Sequence, residues 1–494
     1  MSDIAEPSPE SNGWMAKLAN WLDRVDRWSE HLGDSFNPIL VKETRQALKS
    51  RQFVITFSVL LFAALAWTII GSLSLMPRIY STPSAPRLLI GYYIVLAIPM
   101  LLVVPLAAYR SLEGEIDDGT LELLSITTLS PWQIVLGKLA SAMLQMLLYF
   151  VALFPCVAYA YTLRGVDLPT TLLIVATLLV AGIVLTIVAL FFAPLALTRT
   201  GRIATLLVVM LILIGAEWGL GAMLVGMIMY GNPLSTVWLF FIVTATVIMS
   251  ISVGHLLLTA TAAQLTPESE NRSTHLRISM LILSAVVMAL IALAIQTLGQ
   301  EGAGVASFGA IGLAGLWALA GSMMAAESPR MTPRIRRELP SSFASRMLLT
   351  WLTPGPVTGL VFASANIVVL TVFILFGIDY IFEQPNFRAP GGSQQMLRRL
   401  CIAYSSYLIG FLVAVRFIIG VIRIKNHPRA ELGLAALIAV AVLTALIPYS
   451  IGLHWNDYLP YSYSPWQITN WAWTLSEIAS GRAFDSTVLV IAVA

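Results

Sequence analysis

Eleven long apolar runs constrain this chain more than any other feature. They lie near 53–76, 88–108, 134–162, 172–198, 203–230, 237–263, 276–298, 305–325, 357–378, 400–422 and 432–453. A helix needs roughly 20 apolar residues to cross the hydrocarbon core of a bilayer. Every run meets that length. They are too long for barrel strands and lack alternation with a period of two, so they read as helices. Charged residues make up only 11% of the chain, against about 25% in soluble domains. The expected fold is an all-α, polytopic membrane helix bundle of 11–12 transmembrane helices.

The twelfth helix is the open part of that count. An apolar run starts after Asp485 and reaches Ala494, the last residue. Nine residues span only about 14 Å as a helix, half a bilayer. The chain is therefore expected to be cut inside a twelfth span.

Orientation follows from Lys and Arg in the flanks and short loops. With the N-terminus in the cytoplasm, 21 of the 29 fall inside, 7 outside, and Arg416 within a span. The first 52 residues are largely polar with both signs of charge, unlike a signal peptide. Cys156 and Cys401 both fall in or at spans, so no disulfide framework is expected. The slightly basic balance fits inner loops facing anionic lipid, with no nucleic-acid partner.

Three segments stand out against this background. Apolar residues recur at helical spacing from Trp14 to Leu32, giving a face for the membrane surface or a partner. Residues 36–51 read FNPILVKETRQALKSR, where Asn37 and Pro38 can start an amphipathic helix before the first span. The third is a polar island at 109–133, YRSLEGEIDDGTLELLSITTLSPWQ. Its five acids (Glu113, Glu115, Asp117, Asp118, Glu122) against Arg110 give a net charge of −4. Gly119 is expected to break the segment. Leu121 and Leu124 form an apolar face with Glu122 pointing away, and Ser130-Pro131 ends it. The expected structure is a short cytoplasmic amphipathic helix between spans two and three, shaped to dock in a partner's groove.

Motifs for chemistry are missing. The sequence holds no G-x-x-x-x-G-K-[ST] nucleotide loop, no H-E-x-x-H and no G-x-S-x-G. Its five histidines show no metal-ligand spacing. No catalytic residue, metal site or directly bound cofactor is expected. Three ionisable residues fall inside spans, Glu217, His255 and Arg416. Insertion into hydrocarbon is costly for such groups. Each is either a polar point on a substrate path or an internal packing partner.

The island and the pre-span helix resemble ABC-2 type transporter permeases. The likeness rests on Glu113, Glu115, Gly119-Thr120-Leu121-Glu122-Leu123-Leu124, Leu129-Ser130-Pro131 and Ile134-Val135-Leu136-Gly137-Lys138-Leu139. Asn37-Pro38-Ile39-Leu40-Val41-Lys42-Glu43 and Arg45-Gln46 extend it to the helix before the first span. It covers about 36–165 well and 166–263 loosely. It implies a membrane-spanning subunit of an exporter in the bacterial cytoplasmic membrane, with ATP bound and hydrolysed by a separate ABC ATPase. In that reading Glu113, Glu115, Gly119, Thr120, Leu121, Glu122 and Leu124 couple to the ATPase. Asn37, Pro38, Lys42, Glu43 and Arg45 belong to the bracing helix.

The resemblance also divides the chain. Residues 1–36 are a cytoplasmic tail, 37–263 a six-span permease-like domain, and 264–494 a second membrane domain of five to six spans. Family members often have six spans and work as pairs, so a fused pair, a homodimer and a second permease partner all stay open. Two other function classes compete: a secondary transporter driven by an ion gradient, and a membrane scaffold or sensor without transport.

Overall fold

The computed structural model describes residues 38–77, 82–119, 130–163, 165, 168–195, 198–230, 235–267, 270–327, 342–384, 392–424, 430–481 and 490–491. Every regular element among them is a helix. Eleven helices are long and apolar enough to cross a membrane. The chain is a multi-pass, all-α membrane protein. The Trp14–Leu32 segment and Asn37 lie outside the described residues, as does nearly all of the expected twelfth span.

Two compact units divide between Pro233 and Leu234. The boundary expected from span counting, after 263, falls one span later. The helix at Thr236–Leu265 packs along its successor at Ser273–Leu298, so it sits within the second unit.

The first unit begins with α1, Pro38–Lys49. Ser50 then accepts a hydrogen bond from the Phe53 amide and starts α2, Arg51–Leu75. The helix α3 runs from Ala85 to Asp117, and α4 from Pro131 to Thr162. Next come α5, Leu168–Phe192, and α6, Arg199–Tyr230. The central element is α3, which touches α2, α4, α5 and α6. In its apolar window 67% of the residues are buried, against 11% for α2. α2 instead leaves Phe62 76% exposed, which in this setting is a lipid-facing surface. Within α3, residues Ile98–Val103 form a π-helical turn that contains Pro99 and ends two residues before Pro105. Proline lacks the amide hydrogen that the regular ladder needs, and a π turn accommodates the gap.

The second unit holds α7 (Thr236–Leu265), α8 (Ser273–Leu298), α9 (Gln300–Ala325) and the short α10 (Phe343–Leu349). It continues with α11 (Pro356–Glu383), α12 (Ser393–Arg423), α13 (Ala430–Trp455) and α14 (Trp471–Ala479). Its hub is α9, packed on α8, α11, α12 and α13. Trp317 of α9 is buried against Phe362 and donates through Nε1 to Ser284 at 2.8 Å. The aromatic stretch after α13 folds back onto the unit. Trp471 Nε1 donates to the Ala441 carbonyl at 2.8 Å, and Trp473 packs on Tyr449, Tyr461 and Tyr463.

Candidate functional site

Three helices of the first unit, α1, α3 and α4, meet at a buried ionic cluster, and a more exposed pair beside it reaches α6. The island does not begin as a separate surface element: Arg110–Asp117 continues α3 by about two turns. The run from 104 to 117 holds no breaker beyond Pro105 in its first turn and Gly114, so the ladder persists past the apolar part. Gly119 then stops it. Its φ of +66° is the left-handed conformation that glycine adopts without a Cβ penalty. Its amide donates back to the Ile116 carbonyl at 3.3 Å. Thr120, Leu121, Glu122 and Leu124 lie outside the described residues. The chain returns at Ser130, whose hydroxyl accepts from the Gln133 amide while the Gln133 side chain accepts from the Ser130 amide. That reciprocal cap, with Pro131 in the first turn, fixes the start of α4.

Two turns into α4 stands Lys138, its side chain only 1% exposed. Its ammonium lies 3.3 Å from Glu43 Oε1 on α1 and 3.1 Å from Glu115 Oε2 on α3. It also donates to Ser111 Oγ at 2.8 Å, and Ser111 donates to Glu43 Oε2 at 3.4 Å. A buried ammonium needs compensation, and the cluster supplies two hydrogen-bond acceptors, Glu43 and Ser111, with the Glu115 carboxylate as a second counter-charge. Beside it Asp117 pairs with Arg202 at the start of α6. Tyr109 donates to Glu113 one turn on, at a long 3.5 Å. The island's helical half is thus fastened to α1, α4 and α6.

The expected site residues fall on both sides of this arrangement. Glu43 and Glu115 are in the cluster, and Gly119 ends the helix that carries it. Pro38 opens α1. Lys42 and Arg45 point away from the bundle and, with Lys49, form an exposed basic strip. Glu217, His255 and Arg416 take no part. Glu217 is half-buried on α6, His255 is exposed on α7, and Arg416 is half-buried on α12. Among the described residues Arg416 Nη1 has no hydrogen-bond partner. Lys138, Ser111 and Arg202 complete the cluster without having been expected there. Lys138 does sit in the quoted Gly137-Lys138 motif, and a lysine at the fifth position of an apolar run signals a buried partner.

A cavity of about 270 Å³ opens beside the cluster, between α1, α2, α3 and α4. Gln46, Ser50, Arg110 and Gln145 give it a polar rim over Phe53 and Tyr149. Among the described residues no group of three His, Cys, Asp or Glu is placed to hold a metal ion. What the arrangement can do is mechanical. Displacement of 110–117 is passed to α1, α4 and α6 through short ionic contacts, next to free space into which side chains can move. Comparison with protein-family models, with curated proteins and with solved structures found no match.

Proposed function

We propose that this chain is the membrane-spanning subunit of an ATP-driven transporter of the ABC-2 type, an exporter worked by a separate ATPase. The island at 109–133 is its coupling element and α1 the brace. The observation that carries this reading is the Glu43–Lys138–Glu115 cluster. It ties the two segments that resemble the family, the pre-span helix and the island, to one buried cation contributed by the third segment of the same motif set. A solvated connecting loop has no use for such an investment. A buried charge is costly unless paired, and placing three in one spot specifies a geometry.

In this mechanism the ATPase subunits close on ATP and push the island. Leu121 and Leu124 fill the partner's groove, and Glu113, Glu115 and Glu122 face its basic residues. Glu115 then has two claims on it, the partner and Lys138. Its shift toward the partner would loosen α3 from α4 and relay motion to the spans. The sequence carries no nucleotide loop of its own, so the work must enter through cytoplasmic contacts. The direct test is co-purification with the ATPase, wild type against Leu121→Asp with Leu124→Asp. Loss of the complex with the spans intact is expected. Unchanged complex and unchanged ATPase stimulation would remove the island from the mechanism.

A further inference from the structure

A groove of about 630 Å³ runs between α2 and the first half of α3, at the end of the first unit away from the Lys138 cluster. Ala63, Ala66, Ile70 and Ile94 make it apolar along its length, while Ser74 and Arg87 stand at its far end. Its wall is fixed. Trp67 Nε1 donates to the Leu88 carbonyl at 3.1 Å. The indole lies flat on Gly91, where a Cβ would come within 2.0 Å of the ring. From Ala63 to Leu75 the helix rises about 18 Å, close to the depth of one leaflet of hydrocarbon. Arg87 is exposed and among the described residues has no carboxylate partner. The counting of basic residues puts this end at the outer surface.

We propose that the groove holds one acyl chain of an outer-leaflet phospholipid, with the lipid phosphate paired to Arg87. The length argues for an acyl chain, since the lining follows α2 over about one leaflet's depth. The chemistry argues for an anionic head: an exposed guanidinium at the end of the apolar groove, with no carboxylate partner among the described residues, selects phosphate. All other polar groups named here are satisfied or small, so the chain itself is recognised only by fit. This site stands apart from the ATPase-coupling reading and survives its failure.

The test uses the full-length chain in vesicles of phosphatidylethanolamine and phosphatidylglycerol. Two photoreactive probes carry a diazirine on the acyl chain, one a phospholipid and one a diacylglycerol without phosphate. Labelled peptides are mapped by mass spectrometry. In wild type the phospholipid probe should mark 63–75 and 87–95 well above the exposed Val361, Val368 and Val372 face of α11. Arg87→Gln should cut that labelling about fivefold, the weight of one interfacial ion pair, and leave diacylglycerol labelling unchanged. Ala66→Phe should cut both by filling the groove. Groove labelling no higher than on α11 would overturn the proposal. So would phospholipid labelling indifferent to Arg87→Gln, or exclusion of both probes by a partner helix. Arg87→Gln leaves the packed wall untouched, so the proposal stays decidable if Ala66→Phe fails to fold.

Discussion

Lys138 and Glu43 lie 95 residues apart in the chain and 3.3 Å apart in space. That contact fastens the pre-span helix to the third segment of the first unit. Glu115 closes the triangle from the island. The three side chains carry one positive and two negative charges, and this imbalance sets their order of importance.

Lys138→Met should be the most damaging change in the cluster. It leaves two buried carboxylates facing each other with no cation, a loss of about 3–5 kcal/mol by comparison with other broken buried pairs. Glu43→Gln leaves Lys138 paired one to one with Glu115 and should cost far less. Thermal unfolding of the purified chain in detergent, followed by size-exclusion, checks the ranking. Equal effects would show that the cluster does not act through charge balance.

Gly119→Val should disturb the island without disturbing the bundle. Among the described residues no atom lies within 4 Å of the Cβ position. The cost is conformational, about 1–2 kcal/mol for a side chain in the left-handed region and more when it is β-branched. Gly119→Asn should be tolerated. Overall melting should move little in either variant, while the proposed coupling to an ATPase should fall in the first alone.

Arg277 plays a comparable part in the second unit. It is fully buried and donates to the Trp351 and Thr353 carbonyls at 2.7 and 2.6 Å and to Glu327 at 2.8 Å. It thereby holds the turn that leads from α10 into α11. Arg277→Lys keeps the charge but loses the planar fork, so some of these carbonyls stay unmatched. A loss of about 2–4 kcal/mol is expected, with faster proteolysis near 342–355. Arg277→Lys behaving as wild type would contradict this.

The spans were legible because their signal is local. Length and hydropathy alone place all eleven spans, though several ends run on past the apolar part, and Gly119 and Ser130-Pro131 mark helix ends by their own backbone chemistry. The ionic cluster was half legible. A lysine inside an apolar run at 138 announces a buried anion but cannot say which. Glu43 and Glu115 are chosen by the packing of α1 and α3 on α4, which is non-local. The extension of α3 to Asp117 was hidden by the same composition that made the island stand out, because charge suggests a loop while the backbone continues. The unit boundary at Pro233 is not legible in the sequence for a related reason. Span counting is blind to which neighbour a helix packs on, and Thr236–Leu265 lies along Ser273–Leu298.

One measurement bears on the coupling proposal above all others. The full-length chain is purified from its native membrane in mild detergent, and the eluate is assayed for a protein with a nucleotide-binding loop and for ATP hydrolysis. Wild type should bring down such an ATPase and raise its turnover, while Leu121→Asp with Leu124→Asp loses both and keeps the melting profile of the spans. A purified chain with no associated ATP hydrolysis, whose transport in vesicles follows an imposed ion gradient, would contradict the proposal and point to a secondary transporter.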